Sequence, residues 1–276
     1  MIVVAATNAE HAAGVQDRLR ALGAGGSRVV APGGARRLVL AEADDETAAQ
    51  RLAAALRNER VLAVVRPDGG ARLDGWMRHT RPITFGERLS VCFAWSEHDR
   101  ADLPGVIELG LGGFGNGEHP STRLIVEELL GRIEGGERVL DVGCGSGVLS
   151  LCALRLGAAR VVAVDLKAEA IAATRSNAAL NGMDGRLEAT DAPLGDIDGT
   201  FDVVLANIGR AGIVELAPAL VSRVSPRGWL AVSGISPSQC SLVAGFLRPL
   251  VELERGTSGE WSVVVLGRAA RGDERW

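Results

Sequence analysis

The chain is poor in several residue types that mark particular classes of protein. It has 276 residues, no tyrosine, one lysine (Lys167) and only 4% aromatic residues. No apolar run approaches the roughly 18 residues of a membrane-spanning helix, and the first ten residues lack the basic region and long apolar core of a secretory signal. The net charge of −4 gives no broad electropositive surface. We therefore expect a cytoplasmic protein with no membrane partner and no direct binding to nucleic acid.

Cysteine is scarce and dispersed. Cys92, Cys144, Cys152 and Cys240 show no C-x-x-C spacing and have no neighbouring histidines. This pattern argues against both a disulfide framework and a zinc site. We therefore predict reduced thiols and no metal ion.

The first 66 residues have the pattern of a small domain of their own. Apolar spacing predicts the element order β-α-β-β-α-β, with Asp44 and Asp45 capping the second helix, and this order is that of a ferredoxin-like fold. Apart from the helix-capping Asp44 and Asp45 the segment contains no paired carboxylate cluster, and it has no glycine loop, so we interpret residues 1–66 as a substrate-recognition or assembly domain. The alternative is a purely structural appendage. A Pro-Gly stretch at residues 66–70 predicts a linker, which with a lead-in strand occupies residues 67–100.

The remainder, residues 101–276, alternates between strands and helices. This alternation predicts a parallel sheet wrapped by helices and closed by an antiparallel edge strand. The predicted strands are 139–142, 160–164, 186–189, 201–206 and 229–233, with helices at 148–156, 168–181, 211–223 and 237–248 and a final hairpin.

The most informative motif is RVLDVGCGSG at residues 138–147, an apolar strand that runs into three glycines at alternate positions. Glycine allows a ligand to approach the backbone closely and tolerates positive φ. A second apolar strand ends at Asp165, 22 residues after Gly143, where a carboxylate can accept hydrogen bonds from both hydroxyls of a ribose. Because G-x-G-x-G is not the dinucleotide pattern G-x-G-x-x-G, we predict S-adenosylmethionine as the cofactor, not NAD. The alternative is an ordinary tight strand-to-helix turn.

Three segments in this order resemble one family: FGNGEHPST at residues 114–122, the glycine motif with its following strand and helix, and ANI at residues 206–208. Together they are similar to the PrmA family, the methyltransferases of ribosomal protein L11. The resemblance implies a Rossmann-like class I methyltransferase domain with a seven-stranded, mostly parallel sheet, preceded by a small ferredoxin-like α+β domain. It also implies an activity, the methylation of amines of the ribosomal protein, on lysine side chains or on the N-terminal amine.

The resemblance further implies a set of cofactor-binding residues. Thr122 would donate its hydroxyl to the cofactor's carboxylate, Gly143 and Gly145 would form the turn at the methionine part, and Asp165 would bind the ribose. Asp141 would orient the cofactor's amino group. The remaining two members of the set are Asp191 and Asn207. Asp191 would meet the adenine amine or, alternatively, serve only as a loop cap.

The residues expected to take part in transfer are Asn207, His119 and Glu118. The Asn207 amide oxygen can accept a hydrogen bond from a substrate amine and aim its lone pair at the methyl carbon, the alternative being a satisfied polar plug. Holding the two reactants at near-attack distance supplies most of the catalysis in such a displacement. Glu118 and His119 are candidates for the proton acceptor, although His119 is equally well explained as a residue that shapes its loop.

The chain departs from the family pattern beside the expected transfer site. Asn116 and Glu118 replace two threonines, and Arg210 lies within Gly209-Arg210-Ala211-Gly212, where the family commonly has Leu-Ala-Gly. Glu118 would favour an amine substrate, whereas Arg210 would repel a cation and could attract a carboxylate. Two alternatives therefore stay open: a class I methyltransferase for another protein or a small molecule, and a binding module without transfer activity.

Overall fold

The computed structural model describes residues 1–8, 10–33, 36–59, 61–66, 81–94, 101–110, 115 and 117–269. Most of the predicted linker, residues 67–80 and 95–100, and position 116 lie outside these ranges. The chain forms two compact units. The first comprises residues 1–84, 90–112 and 179–181, and the second comprises residues 85–89, 113–178 and 182–276.

The first unit begins with a four-stranded antiparallel sheet and two helices. Its strands have the order β2-β3-β1-β4, which is the ferredoxin-like topology predicted from the sequence. The elements are β1 (Ile2–Asn8), α1 (Ala12–Ala21), β2 (Ser27–Gly33), β3 (Arg36–Glu42), α2 (Glu46–Asn58) and β4 (Leu62–Arg66).

Local chemistry accounts for these elements. The Asp45 side chain accepts a hydrogen bond from the Ala48 backbone N–H at 2.7 Å, so of the two predicted capping residues Asp45 caps α2. Alternate residues of β1 and β3 face the helices, and the buried cluster between sheet and helices includes Leu19, Val39 and Leu56. Residues 1–66 therefore have a hydrophobic core of their own.

Three short strands follow: β5 (Ile83–Phe85), β6 (Leu89–Phe93) and β7 (Val106–Leu109), in the order β5-β6-β7. The sequence predicted β6, and the structure adds β5 and a parallel partner, β7. Within the first unit, the Asn181 side chain accepts from the Glu108 N–H at 2.9 Å and donates to the Glu108 carbonyl at 2.7 Å. This pair of bonds satisfies both backbone groups of one β7 residue.

The second unit is built on a seven-stranded sheet with helices between its strands. Its helices are α3 (Pro120–Arg132), α4 (Val148–Leu156), α5 (Ala168–Leu180), α6 (Arg210–Arg223) and α7 (Cys240–Phe246). Its strands are β8 (Arg138–Val142), β9 (Arg160–Val164), β10 (Leu187–Thr190), β11 (Phe201–Asn207), β12 (Val224–Ile235), β13 (Val251–Ser258) and β14 (Trp261–Gly267). Strand β12 begins five residues before the predicted start, and α7 is shorter than predicted.

The order of this sheet is β10-β9-β8-β11-β12-β14-β13. Strands β8 to β12 pair in parallel, and β14 pairs antiparallel with both β12 and β13. The predicted fold class is confirmed, with the antiparallel strand β14 inserted before the edge strand β13. Within the described residues, no helix is long and apolar enough to cross a membrane.

Candidate functional site

The candidate site lies in the second unit, at the carboxyl ends of the parallel strands. The chain leaves β8 toward β9 and β10, whereas β11 and β12 lie on the other side of β8. Ligands of open α/β sheets bind at such a reversal of strand order, outside the carboxyl ends of the strands. Gly143 follows β8, Asp165 follows β9 and Asn207 ends β11. The fold therefore brings three of the sequence-predicted site residues to one edge.

The turn after β8 needs glycine for backbone geometry and for packing. Gly143, Gly145 and Gly147 have φ values of 76°, 57° and 80°, in the left-handed region that favours glycine. A Cβ on Gly143 would also lie 2.4 Å from Cγ2 of Ile208. Substitution at Gly143 would therefore disturb the residue that follows Asn207 as well as the turn.

Asp165 orders the same turn from the neighbouring strand. Its Oδ2 accepts from the Gly145 backbone N–H at 3.1 Å, and its Oδ1 accepts from the Lys167 N–H at 3.0 Å. The carboxylate is half-buried. Since each carboxylate oxygen has two lone pairs, each can accept a further hydrogen bond from a ligand hydroxyl.

Asp141 is the buried acid of the site. Its side chain is 1% exposed, and its Oδ2 accepts from the Ser150 hydroxyl at 2.6 Å. Its Oδ1 is buried and has no hydrogen-bond partner among the described residues. Burial raises the pKa of Asp141 to about 6, with a smaller contribution from the negative charge of Asp165.

Thr122 and Asn207 meet although they are 85 residues apart. The Asn207 amide Nδ2 donates to the Thr122 hydroxyl oxygen at 3.0 Å, which leaves the hydroxyl hydrogen available as a donor. A Cβ on Gly234 would lie 2.7 Å from the Ile208 carbonyl oxygen and 3.4 Å from the Asn207 Oδ1. Gly234, which the sequence analysis missed, therefore gives room to the backbone carbonyl of Ile208, the residue after Asn207.

His119 occupies the N-cap of α3. Its Nδ1 accepts from the Ser121 backbone N–H at 3.3 Å and lies 2.7 Å from the Ser121 hydroxyl, and Pro120 is the first helical residue. The ring also packs edge-on against Trp261, with the ring centres 4.6 Å apart. This geometry fits the alternative in which His119 shapes its loop, because one ring nitrogen is already engaged in capping.

Substitution of His119 can separate capping from proton transfer. Because asparagine is a strong N-cap residue, we expect His119→Asn to keep both the stability and the methyl-transfer rate close to those of the unchanged protein. His119→Ala should lower the free energy of unfolding by about 1 kcal/mol. Urea unfolding and single-turnover transfer measure the two effects. Equal and large losses of transfer in both variants, with His119→Asn fully stable, would instead favour the role of proton acceptor.

The other predicted residues that the structure describes are exposed to solvent. Glu118 and Arg210 are exposed, Arg210 as the first residue of α6. Asp191, also exposed, follows β10, and the neighbouring turn is held by the Thr190 hydroxyl, which accepts from the Ala192 N–H. Position 116 lies outside the described residues.

Three buried polar residues hold the glycine turn and were missed by the sequence analysis. From α5, the Asn177 amide donates to the Ser146 carbonyl at 2.8 Å and the Thr174 hydroxyl donates to the Gly145 carbonyl at 3.2 Å. The Ser146 hydroxyl donates to the carbonyl of Gly115 in the preceding loop. The available signal was two polar residues three positions apart on the apolar face of a predicted helix.

The thiols near the turn do not extend its chemistry. Burial raises the pKa of both Cys144 and Cys152 to about 12, so both are neutral at physiological pH. All four cysteines are buried. Within the part of the chain that the structure describes, no cluster of His, Cys, Asp or Glu could hold a metal ion.

The sheet order, the glycine turn after the first strand of the sheet and the acid after the second define the class I methyltransferase fold. The family model for "Ribosomal protein L11 methyltransferase (PrmA)" matches residues 35–269. The chain belongs to this family, as the resemblance implied.

Individual relatives agree with this assignment. A ribosomal protein L11 methyltransferase of Pelobacter propionicus is 42% identical over 205 residues, covering 71% of this chain and 66% of the relative. One of Geobacter metallireducens is 42% identical over 194 residues, covering 69% of this chain and 64% of the relative. The chain thus spans slightly less than two thirds of these two relatives. The crystal structure of a ribosomal protein L11 methylase from Lactobacillus delbrueckii subsp. bulgaricus superposes with a TM-score of 0.64 at 29% identity, covering 69% of this chain and all of that one.

Proposed function

We propose that this protein is an S-adenosylmethionine-dependent N-methyltransferase that methylates amines of ribosomal protein L11, on lysine side chains or the N-terminal amine. The observation that carries the proposal is the joining of Thr122 and Asn207 beside the glycine turn and Asp165, in a chain of this family. The site is proposed to act in the cytoplasm, with the ribosomal protein as partner and without direct contact to nucleic acid.

The residues of the site fit S-adenosylmethionine. The unpartnered buried Oδ1 of Asp141 suits a cationic amino group, and a buried carboxylate oxygen without a donor is otherwise unfavourable. The Thr122 hydroxyl can donate to a carboxylate, the turn at Gly143 and Gly145 leaves backbone accessible, and Asp165 can accept from ribose hydroxyls. Asp191 is assigned to the adenine amine. When bound, the cofactor supplies an electrophilic methyl group on a sulfonium.

The acceptor amine must be neutral to attack a methyl group. A lysine with an unperturbed pKa near ~10.4 is almost wholly protonated at neutral pH, and desolvation in a site lowers that value. The Asn207 amide nitrogen donates a hydrogen bond to the Thr122 hydroxyl, which fixes the orientation of the Asn207 side chain. Its amide oxygen can therefore accept a hydrogen bond from the acceptor amine. Glu118 is the candidate proton acceptor, and His119 shares this role only if the stable His119→Asn variant loses transfer.

The test is transfer of a labelled methyl group by the purified full-length protein to ribosomal protein L11. Label should be incorporated into ribosomal protein L11, and prior acetylation of the amines of that protein should abolish the incorporation. The exposed Arg210 favours a second candidate, a carboxylate-bearing small molecule or another protein as acceptor. Label in small metabolites but not in ribosomal protein L11 would support that alternative, and cofactor binding without transfer to any acceptor would indicate a binding module.

We also propose the division of the chain into a substrate-recognition domain at residues 1–66, a linker and lead-in strand at 67–100, and a methyltransferase domain at 101–276. All proposed cofactor residues lie between Thr122 and Asn207, whereas residues 1–66 have their own core.

A chain that begins at Asp68 should retain cofactor affinity but lose methylation of the protein acceptor, because docking raises the local concentration of the target amine. Circular dichroism checks its folding, and equal methylation by both chains would contradict a docking role.

A further inference from the structure

Asp141 has a buried carboxylate oxygen, Oδ1, that lacks a hydrogen-bond partner among the described residues. Among the described residues, only two buried side-chain atoms lack a hydrogen-bond partner, and Asp141 Oδ1 is the only carboxylate oxygen of the two. Buried polar atoms are usually paired, so an exception calls for a ligand, a proton or a missing solvent molecule. Asp141 precedes Gly143 by two positions in the chain, so this oxygen lies beside the proposed cofactor site.

Ser150 fixes the other oxygen of the same carboxyl. Ser150 is the third residue of α4. The N-cap residue of this helix is Gly147, which has no side chain that could cap it. The Ser150 hydroxyl donates to Asp141 Oδ2 at 2.6 Å, and both side chains are almost fully buried. With Oδ2 held by Ser150, the carboxyl cannot rotate freely, and Oδ1 keeps one orientation.

Among the described residues, no positively charged group acts on the titration of Asp141. The groups that act on its titration are the Ser150 side chain and backbone, which favour the charged form, and Asp165, which opposes it. The thiols Cys144 and Cys152 lie close enough for Asp141 to raise their pKa, and both are neutral. Burial outweighs the Ser150 hydrogen bonds and raises the pKa of Asp141 to about 6.

We propose that Asp141, positioned by Ser150, couples cofactor binding to the release of a proton. This inference rests on the proposed function and deepens it. In the cofactor-free protein the carboxyl carries a proton on Oδ1 at mildly acidic pH. Asp141 would hold the cofactor's ammonium group through Oδ1, and its own O–H bond would break, with the proton passing to solvent, because a neighbouring positive charge favours the carboxylate.

The sign of the pH dependence follows directly. An ammonium beside the carboxyl lowers the pKa of Asp141 in the complex, so binding is favoured where the acid is already ionised. Affinity should therefore rise with pH through the pKa of Asp141 in the cofactor-free protein and level off up to about pH 7, above which the cofactor's own α-ammonium begins to lose its proton. With the pKa of Asp141 at about 6, about a tenth of the cofactor-free sites are ionised at about pH 5, which weakens the apparent affinity about tenfold relative to about pH 7.

The experiment is calorimetric titration of the full-length protein with S-adenosylmethionine between about pH 5 and pH 8, in pairs of buffers that differ in ionisation enthalpy. We expect release of about half a proton per site near pH 6, declining to about a tenth near pH 7, and above that pH proton uptake by the cofactor's own amino group. Asp141→Asn should bind with lower affinity and release no proton through this group. Ser150→Ala should shift the midpoint of the pH dependence upward, because the charged form loses a hydrogen bond.

The control is Asp184→Asn, an exposed carboxyl in the loop before β10, at the opposite edge of the parallel sheet from the site. It should keep both the affinity and the proton release of the unchanged protein. Binding that is independent of pH, or proton release that survives in Asp141→Asn, overturns the inference while leaving the proposed function intact. An unshifted midpoint in Ser150→Ala overturns the role of Ser150. Absence of cofactor binding at every pH overturns the proposed function and this inference with it.

Discussion

Replacing Asp165 with alanine is expected to lower the affinity for S-adenosylmethionine by about two to four orders of magnitude. The carboxylate already accepts one backbone N–H on each oxygen and has a remaining lone pair on each for the two ribose hydroxyls. Each hydrogen bond to a charged group contributes about 1.5–3 kcal/mol, so loss of two costs about 3–6 kcal/mol. Calorimetric titration at neutral pH measures the change.

The structure adds a second contribution to this loss, because Asp165 also holds the Gly145 N–H. Asp165→Asn keeps one acceptor oxygen and should give an intermediate affinity, and Asp184→Ala provides a control for the loss of an exposed carboxylate. Thermal unfolding without cofactor reports any loosening of the turn itself. An Asp165→Ala protein with the affinity of the unchanged protein would remove the assignment of this residue to the cofactor.

Replacing Asn207 with alanine is expected to lower the rate of methyl transfer by about 10²–10³-fold, with a much smaller effect on cofactor affinity. The expected loss is that of one preorganised polar group at a reacting centre. Its effect falls on the transition state because the amide oxygen orients the attacking amine. Single-turnover transfer to ribosomal protein L11 with saturating cofactor isolates this step from binding.

Two neighbouring variants distinguish orientation from bulk packing. Thr122→Val keeps the shape of residue 122 but removes the hydroxyl that accepts from Asn207, so transfer should fall moderately and cofactor affinity should also fall. Asn207→Asp keeps the acceptor oxygen but loses the N–H donor to Thr122. Transfer that is unaffected in Asn207→Ala would identify Asn207 as a polar plug at the end of β11 and nothing more.

The elements that the sequence predicted well are those governed by short-range patterns. The order β-α-β-β-α-β in residues 1–66 follows from apolar spacing, and Asp45 caps α2 because the cap and the helix are adjacent in the chain. The glycine turn was predictable for the same reason, since positive φ at Gly143, Gly145 and Gly147 is a local requirement. The assignments of individual site residues to cofactor and substrate stay predictions.

The sequence-based predictions were wrong or incomplete where a strand or a contact depends on partners far along the chain. Strands β5 and β7 are only three and four residues long, too short for an apolar period to be recognised. The early start of β12 reflects pairing with β11 at Val224, ahead of the apolar run that the sequence analysis used. A strand extended by its neighbour carries no signal in its own residues.

The sequence by itself determined the class of fold, the cofactor-type turn and the acid that follows the second strand of the sheet, because each is encoded within a few neighbouring residues. Only the tertiary structure decided that Asn207 bonds to Thr122, that Ser150 holds Asp141 and that Asn177 and Thr174 secure the glycine turn. These contacts join residues between 9 and 85 positions apart. They depend on strand order and helix packing, which the burial of the whole core selects and no local pattern specifies.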